Sequence, residues 1–180
     1  YCYDNAGNIT YRSEEKLSNG NVVEYTYTYG DSQWGDLLTA FNGNTITYDG
    51  VGNPLQYYNG CVFTWEQGRR LSTVTKNGIT YSYNYNENGI RTSKDEDGIM
   101  HNYILNGSQI VAEMWGDTIV IYLYDELGSP IGMQIRYASM AEGSYYTYFF
   151  EKNMFGDVIA VYNTNGTKLV SYEYDAFGNF

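Results

Sequence analysis

Short runs in which ring-bearing or β-branched residues alternate with polar ones recur along the whole chain. Residues 25–29 have the sequence YTYTY, residues 81–85 have YSYNY, and residues 169–174 continue the alternation. A period of two is that of a β-strand, and the links between runs are too short for crossover connections. Only residues 138–143 could hold a helical turn, and a loop serves there equally well. The pattern predicts an all-β antiparallel meander of roughly sixteen strands.

Turn-forming dipeptides separate these runs. Asn-Gly occurs seven times and Asp-Gly twice. Both dipeptides tolerate the positive φ angles of tight hairpin turns. They begin at Asn19, Asn42, Asn59, Asn77, Asn88, Asn106, Asn165, Asp49 and Asp97. Their positions predict that most neighbouring strands are joined as β-hairpins.

A second motif, Tyr-Asp-x-x-Gly followed by Asn or a similar residue and then an apolar one, recurs at a looser spacing. Its fuller copies contain Tyr3, Asp4 and Gly7; Tyr48, Asp49 and Gly52; Tyr124, Asp125 and Gly128; and Tyr174, Asp175 and Gly178. Degenerate copies cover residues 65–69, 85–89 and 155–158, the last with Gly156 and Asp157. In each copy we expect the tyrosine to end a strand and the carboxylate to accept N–H bonds from the turn. The glycine supplies a left-handed conformation before the next strand.

This repeated turn resembles the YD repeats of Rhs (rearrangement hot spot) proteins. Residues 122–133 resemble the start of the Rhs repeat-associated core, and residues 153–161 and 172–179 resemble its continuation. Weaker copies extend the resemblance over nearly the whole chain. The resemblance implies one YD-repeat segment over residues 1–180, with degenerate repeats over 1–121 and the start of the core over 122–180.

The resemblance also implies a β-rich ribbon that spirals into a hollow shell. In the family, such shells enclose a C-terminal toxin domain of bacterial polymorphic toxins, and similar cocoons occur in insecticidal toxin complexes and animal teneurins. The Asp-Pro-x-x-Gly type motif at which many members cut themselves does not occur before Phe180. Neither self-cleavage nor the toxin is therefore assigned to this chain. Because 180 residues are too few to close a shell, we expect an open, curved sheet segment.

The charge balance narrows the range of partners. Ten basic and 21 acidic residues give a formal net charge of −11, which repels phosphate backbones and anionic lipids. No apolar stretch approaches the roughly 20 residues of a membrane span. Nucleic acid and membrane are therefore not expected as partners, whereas neutral sugars, basic proteins and metal cations stay open. Strands with two polar or tyrosine-rich faces favour a sheet with solvent on both sides, whose open edges invite self-association.

Catalytic and cofactor chemistry finds little support in the sequence. His101 is the single histidine, and Cys2 and Cys61 belong to no metal-binding motif. A disulfide between these cysteines stays open beside two separate thiols. Residues 95–106 begin like a calcium loop but carry Ile99 at a ligand position, so a hairpin turn is favoured there. The repeated aspartates share equivalent environments, unlike the paired acids of glycosidases, so we predict no enzyme activity and no cofactor.

Three tryptophans, Trp34, Trp65 and Trp115, are candidates for stacking against sugar rings, although ordinary packing within the sheet is the simpler interpretation. The leading hypothesis is a non-enzymatic segment of a YD-repeat shell. The shell would enclose a C-terminal toxin or effector domain in a secreted or surface-displayed bacterial Rhs-type protein. The alternative is a carbohydrate-binding or cell-surface adhesion module.

Overall fold

The computed structural model describes residues 1–15, 19–174 and 178, and these residues form eighteen β-strands and no helix. The prediction of an all-β antiparallel meander is therefore confirmed. The strands are β1 (Cys2–Tyr3), β2 (Ile9–Glu15), β3 (Val22–Thr28), β4 (Ala40–Phe41), β5 (Asn44–Thr45), β6 (Thr47–Tyr48), β7 (Pro54–Gln56), β8 (Val62–Glu66), β9 (Arg70–Lys76), β10 (Ile79–Tyr85), β11 (Arg91–Glu96), β12 (Ile99–Asn106), β13 (Gln109–Trp115), β14 (Thr118–Tyr124), β15 (Pro130–Tyr137), β16 (Tyr146–Lys152), β17 (Val158–Asn163) and β18 (Lys168–Ser171).

The first of two compact units, unit 1, spans Tyr1–Tyr83. Within it, strands β1–β5 form one antiparallel sheet in chain order, and strands β6–β10 follow one another in a second sheet. The break falls at Ile46, which separates β5 from β6 and is only 3% exposed. The alternation of residue types does not mark this break, because Ile46 continues the pattern of its neighbours.

Unit 2 spans Asn84–Phe180, and its strands β11–β18 also pair in chain order. The ladder between β14 and β15 is the longest in this unit and runs from Thr118 opposite Tyr137 to Tyr124 opposite Pro130. Residues 138–145 form turns and loop rather than a helix. Short hairpin connections thus carry the chain from each strand to its neighbour.

The core of this fold is thin. Only four hydrophobic residues are buried among those that the structure describes: Ile46, Val120, Ala160 and Val161. Most strand residues are partly exposed, as a sheet with solvent on both faces requires. Ring contacts supply cohesion in place of a deep core. Phe41, for example, contacts Tyr58 with a distance of 4.5 Å between ring centroids.

Cys2 and Cys61 are both free thiols, so the alternative of a disulfide between them is not realised. In the described ranges, the structure offers no helix with the length and apolar character needed to cross a membrane.

Candidate functional site

The repeated turn has one hydrogen-bond pattern, which residues 49–53 show in full. The N–H of Asp49 donates to Asn53 O (2.9 Å), and the N–H of Gly52 donates to Asp49 O (3.1 Å). Asp49 Oδ1 accepts the N–H groups of Val51 (3.0 Å) and Asn53 (2.9 Å). Asp49 Oδ2 accepts Asn53 Nδ2 (2.8 Å). The carboxylate therefore satisfies donors that the backbone of the turn leaves unpaired.

The same backbone pair closes seven turns in the described part of the chain. They span residues 4–8, 49–53, 57–61, 86–90, 125–129, 153–157 and 163–167. In six of them a side-chain oxygen at the first position accepts two N–H groups, and the acceptors are Asp4, Asp49, Asn86, Asp125, Asn153 and Asn163. Aspartate and asparagine are thus equivalent acceptors in this turn.

The fourth residue of each turn is a glycine with positive φ, from +76° at Gly166 to +90° at Gly156. A side chain at that position would strain the backbone. In five of the turns the strand pairing then skips one residue, which forms a β-bulge. The skipped residues are Thr10, Leu55, Ile131, Ile159 and Leu169. Because a bulge bends and twists its strand, each such turn also sets a change of strand direction.

The tyrosine before the turn fastens the end of its strand to an earlier part of the chain. Three phenol groups donate to backbone carbonyls: Tyr48 to Leu38 (2.7 Å), Tyr124 to Ile110 (2.6 Å) and Tyr174 to Val158 (3.0 Å). Tyr3 differs, since it is 59% exposed and stacks on Tyr1. The tyrosine and the turn together lock a hairpin to its neighbour.

Two of the predicted copies are not seen as complete Tyr-Asp turns. Asp175 lies outside the described residues, whereas Gly178 has a φ of +79°. The copy predicted at residues 65–69 forms a different turn, in which Gln67 and Gly68 have φ angles of +45° and +88°. Two positive φ angles define a two-residue hairpin turn. The motif fails there because this segment has one residue fewer than Tyr-Asp-x-x-Gly.

Side chains link neighbouring turns in unit 1. Asn53 Nδ2 donates to Gly68 O (2.5 Å), and Arg69 Nη2 donates to Val51 O (3.1 Å). Alternate connections of a meander lie at the same end of its strands. The turns at residues 49–53 and 67–68 therefore form a linked border, which we call the turn rim of unit 1.

Unit 2 has a turn rim of its own, formed by residues 106–107, 125–129 and 153–157. Gln109 Nε2 donates to Gly128 O (3.2 Å), and Lys152 Nζ donates to Ser129 Oγ. The carboxylate of Asp157 lies at the fifth position of its turn and accepts Asn153 Nδ2 (2.9 Å). Each unit is therefore braced along one border by side-chain contacts between successive hairpins.

We expect Asn53→Ala to loosen the turn rim of unit 1. Asn53 is 5% exposed, and the change removes its amide bonds to Asp49 and Gly68. The expected loss in the free energy of unfolding is about 1–3 kcal/mol, measured by urea denaturation. Asn8→Ala is the matched control, because Asn8 holds the same turn position but makes a longer bond of 3.3 Å to Gly35 O. An equal loss of unfolding free energy in Asn53→Ala and Asn8→Ala would show that the hydrogen bond from Asn53 to Gly68 O does not stabilise the turn rim.

Hydrogen bonds from the turns lower the pKa of three aspartates. Asn53 holds the pKa of Asp49 below its ordinary value of 3.8, chiefly through its backbone N–H. The Asn8 side chain does the same for the pKa of Asp4, and the Trp34 N–H for that of Asp31. A carboxylate whose pKa is lower in the folded state than in the unfolded state stabilises the fold above its ordinary pKa. This stabilisation is lost as the pH falls through the lowered pKa.

Stability is therefore expected to fall as the pH drops below about 4 through the lowered pKa values of these aspartates. Urea denaturation across a pH series measures this loss. Asp49→Asn should flatten the acid limb, because asparagine accepts the same N–H bonds, as Asn86 does, without titrating. A profile that is equally steep in Asp49→Asn and in the parent chain would contradict this assignment.

One cluster in unit 2 lies outside the repeat pattern. His101 Nδ1 lies 2.7 Å from Glu113 Oε1, and Tyr122 Oη donates to Glu113 Oε2 (2.9 Å). Burial and this bond raise the pKa of Tyr122 strongly. The imidazole ring also stacks on Trp115, with 4.8 Å between ring centroids. The cluster joins strands β12, β13 and β14, and sequence reasoning missed it because its members meet only through strand register.

The three tryptophans that the sequence singled out lie in different surroundings. Trp65 Nε1 donates to Pro54 O (2.7 Å), and Trp115 stacks on His101. Trp34 is 44% exposed and lies against Gly52. No group of three or more His, Cys, Asp or Glu side chains in the described ranges could hold a metal ion. The described geometry thus presents a braced repeat of hairpins with one open tryptophan.

The all-β meander of hairpins in open sheets, with its bulged Tyr-Asp turns, is similar in fold to a YD-repeat shell structure. A crystal structure of TcdB2-TccC3-Cdc42 superposes on 99% of this chain and 12% of its own chain, with a TM-score of 0.53 and 13% identity. This likeness concerns the fold alone.

Three Bacillus proteins are similar in sequence. The tRNA3(Ser)-specific nuclease WapA of Bacillus spizizenii is 28% identical over 187 residues, and the tRNA nuclease WapA of Bacillus subtilis is 28% identical over 186. The tRNA(Glu)-specific nuclease WapA of Bacillus subtilis subsp. natto is 31% identical over 147 residues. The matches cover 99%, 99% and 79% of this chain but only 7%, 7% and 6% of the relatives. No family model matches the chain. At the level of class, these likenesses support an Rhs-type, YD-repeat protein.

Proposed function

We propose that this chain is a non-enzymatic wall segment of a YD-repeat shell that encloses a C-terminal toxin or effector domain. The thin sheet carries this proposal, because only four hydrophobic residues among those described are buried. A globular enzyme of this size would bury a deep core around its site. A wall needs instead extended hydrogen-bonded sheets with two faces, and the braced hairpins of each unit supply them.

The names of the relatives point to a cargo of a particular kind. All three are named as tRNA nucleases, and the matched region is 6–7% of their length. A domain that binds tRNA presents basic side chains to the phosphates. The net charge of −11 on this chain is complementary to such a domain. We therefore infer a basic nuclease-type domain as the cargo. From the resemblance to Rhs-type proteins we also propose a secreted or cell-surface location for the whole protein.

Open sheet edges favour self-association of the chain when it is isolated. Among the strands of residues 1–15 and 19–174, β18 pairs with β17 alone, and its residues Leu169 and Val170 are 49% and 43% exposed. Unpaired edges of this kind template pairing with a second copy. We expect dimers or larger species in light scattering of the isolated chain. Val170→Lys, which places a charge on the edge, should shift the population toward monomer, and a monodisperse monomer of the parent chain would contradict this prediction.

The test of encapsulation uses the full-length protein. Native size exclusion is compared with intact mass measured under denaturing conditions. The proposal predicts a C-terminal piece that co-elutes with the shell in native buffer and separates only on denaturation, or an uncut domain that resists added protease until the shell is unfolded. A C-terminal domain that is degraded at once in native buffer would contradict it.

A further inference from the structure

A cleft in unit 1 lies between the link from β3 to β4 and the turn at residues 49–53. Its volume is about 400 Å³, within the range of sites that hold small ligands. The lining includes Asp31, Gln33, Trp34 and Thr47. We call it the Trp34 cleft.

The aromatic wall of the cleft is held rigidly in place. Asp31 Oδ1 accepts the N–H groups of Gln33 and Trp34, both at 2.8 Å, and Trp34 O accepts the N–H of Leu37 (2.9 Å). The indole lies so close to Gly52 that a Cβ there would be 2.5 Å from Trp34 Cζ3. One edge of the ring is therefore packed on the repeat turn, while 44% of the residue is exposed. A fixed ring binds without the entropic cost of ordering a loop.

Some polar groups around the Trp34 ring are hydrogen-bonded within the chain, and others are not. Tyr48 Oη is bonded to Leu38 O, and the Asp49 carboxylate is bonded to its own turn. Across residues 1–15, 19–174 and 178, three groups of the cleft make no hydrogen bond: Asp31 Oδ2, the amide of Gln33 and the hydroxyl of Thr47. The cleft thus offers an aromatic surface with an acceptor, an amide and a hydroxyl beside it.

The charges select the class of ligand. The ionised side chains that line the cleft, Asp31 and Asp49, are carboxylates, and the chain carries a net charge of −11, so phosphates and other anions are repelled. A single uncommitted carboxylate oxygen falls short of the six to eight oxygens that calcium takes. A neutral ring with many hydroxyl groups fits the exposed indole, the polar groups beside it and the negative charge of the cleft. Its C–H face can lie on the indole while its hydroxyls bond to the three unused groups.

We propose that the Trp34 cleft is a binding site for a neutral carbohydrate. The Trp34 ring forms the stacking surface, and Asp31 and Gln33 orient the sugar hydroxyls. Asp49 is a positioning residue, since it fixes the turn on which the indole rests. The site uses one face of unit 1, so a wall segment can hold a sugar there whatever the shell encloses.

The test uses the full-length protein with two neutral probes, cellotetraose and tetra-N-acetylglucosamine. Calorimetry and tryptophan fluorescence measure binding. We expect saturable binding of at least one probe, and an affinity at least tenfold lower in Trp34→Ala. Trp34→Phe should recover part of it, because a smaller ring still offers a face. Gln33→Ala should weaken binding severalfold without touching the contact between Trp34 and Gly52, which guards against a loss caused by misfolding.

A second cleft provides the matched control. It has a volume of about 360 Å³ in unit 2 and is lined by residues that include Tyr145, Tyr146 and Asn163. Tyr146→Ala should leave the affinity unchanged. No saturable binding of either probe, or binding that survives both Trp34→Ala and Gln33→Ala, would overturn the proposal. Either result leaves the encapsulation test unaffected, because that test measures release of a C-terminal domain.

Discussion

Gly132→Ala is expected to be among the most destabilising single substitutions in the chain. Gly132 lies in β15 opposite Phe149 of β16, with the two backbones in close approach. A Cβ built at Gly132 would lie far inside contact distance of Tyr148 O and 3.4 Å from Phe149 Cα. These are backbone atoms of a paired strand, so relief requires the strands to separate rather than a side chain to rotate. Overpacking of this kind costs about 1–3 kcal/mol, and a backbone obstacle favours the upper end.

Thermal unfolding should show this cost as a melting temperature about 6–12 °C lower. Hydrogen exchange should show faster exchange of the amides between β15 and β16 than in the parent chain. Gly35→Ala is the matched control, because nothing lies within 4 Å of a Cβ built there and its φ is not positive. A melting temperature for Gly132→Ala that equals that of Gly35→Ala would contradict the close approach.

Glu113→Ala is expected to produce the second large loss. The carboxylate is the common partner of His101 and Tyr122, and the side chains of His101 and Glu113 are only 13% and 16% exposed. Removal leaves two partly buried polar groups without their bonds. We expect a decrease of about 2–4 kcal/mol in the free energy of unfolding, measured by urea denaturation.

One further variant and one titration separate the parts of this cluster. Tyr122→Phe removes one of the two bonds and should cost about half as much. Glu113→Ala should also move the pKa of Tyr122 back toward its ordinary value of 10.0, which an absorbance titration of the phenols detects. A phenol whose pKa is raised in the folded state stabilises the fold at neutral pH. This stabilisation is lost as the pH rises through the raised pKa. A Glu113→Ala protein as stable as Tyr122→Phe would contradict the double role of the carboxylate.

Local residue patterns were enough to predict the strands and their antiparallel order. A period of two in residues such as 25–29 and 81–85 reports directly on strand geometry. The Tyr-Asp-x-x-Gly copies could be found because Gly7, Gly52 and Gly128 must adopt positive φ, which restricts the residue type.

The Asn-Gly pairs were less informative, because one dipeptide serves two turns. Asn77-Gly78 forms a two-residue turn with positive φ at both residues, whereas Asn88-Gly89 closes a five-residue turn whose first residue, Asn86, accepts two N–H groups. Asn59-Gly60 closes the same kind of five-residue turn after Tyr57, so the turn type does not depend on a capping side chain alone. The dipeptide by itself does not show which of the two turns forms.

Features that depend on register or on distant segments escaped sequence reasoning altogether. His101, Glu113 and Tyr122 come together on three strands. Trp34 meets Gly52 from a link far along the chain. Such contacts depend on how the hairpins are aligned with one another. The local alternation of residue types carries no information about this alignment. The meander of hairpins was therefore predictable, whereas the cleft and the cluster required the structure.

Electron cryomicroscopy of the full-length protein would show whether this segment forms a wall. We expect a closed, hollow β-shell in which this segment forms part of the wall, with density for a C-terminal domain inside. A sheet that stays open to solvent, with the C-terminal domain outside it, would rule out the wall proposal.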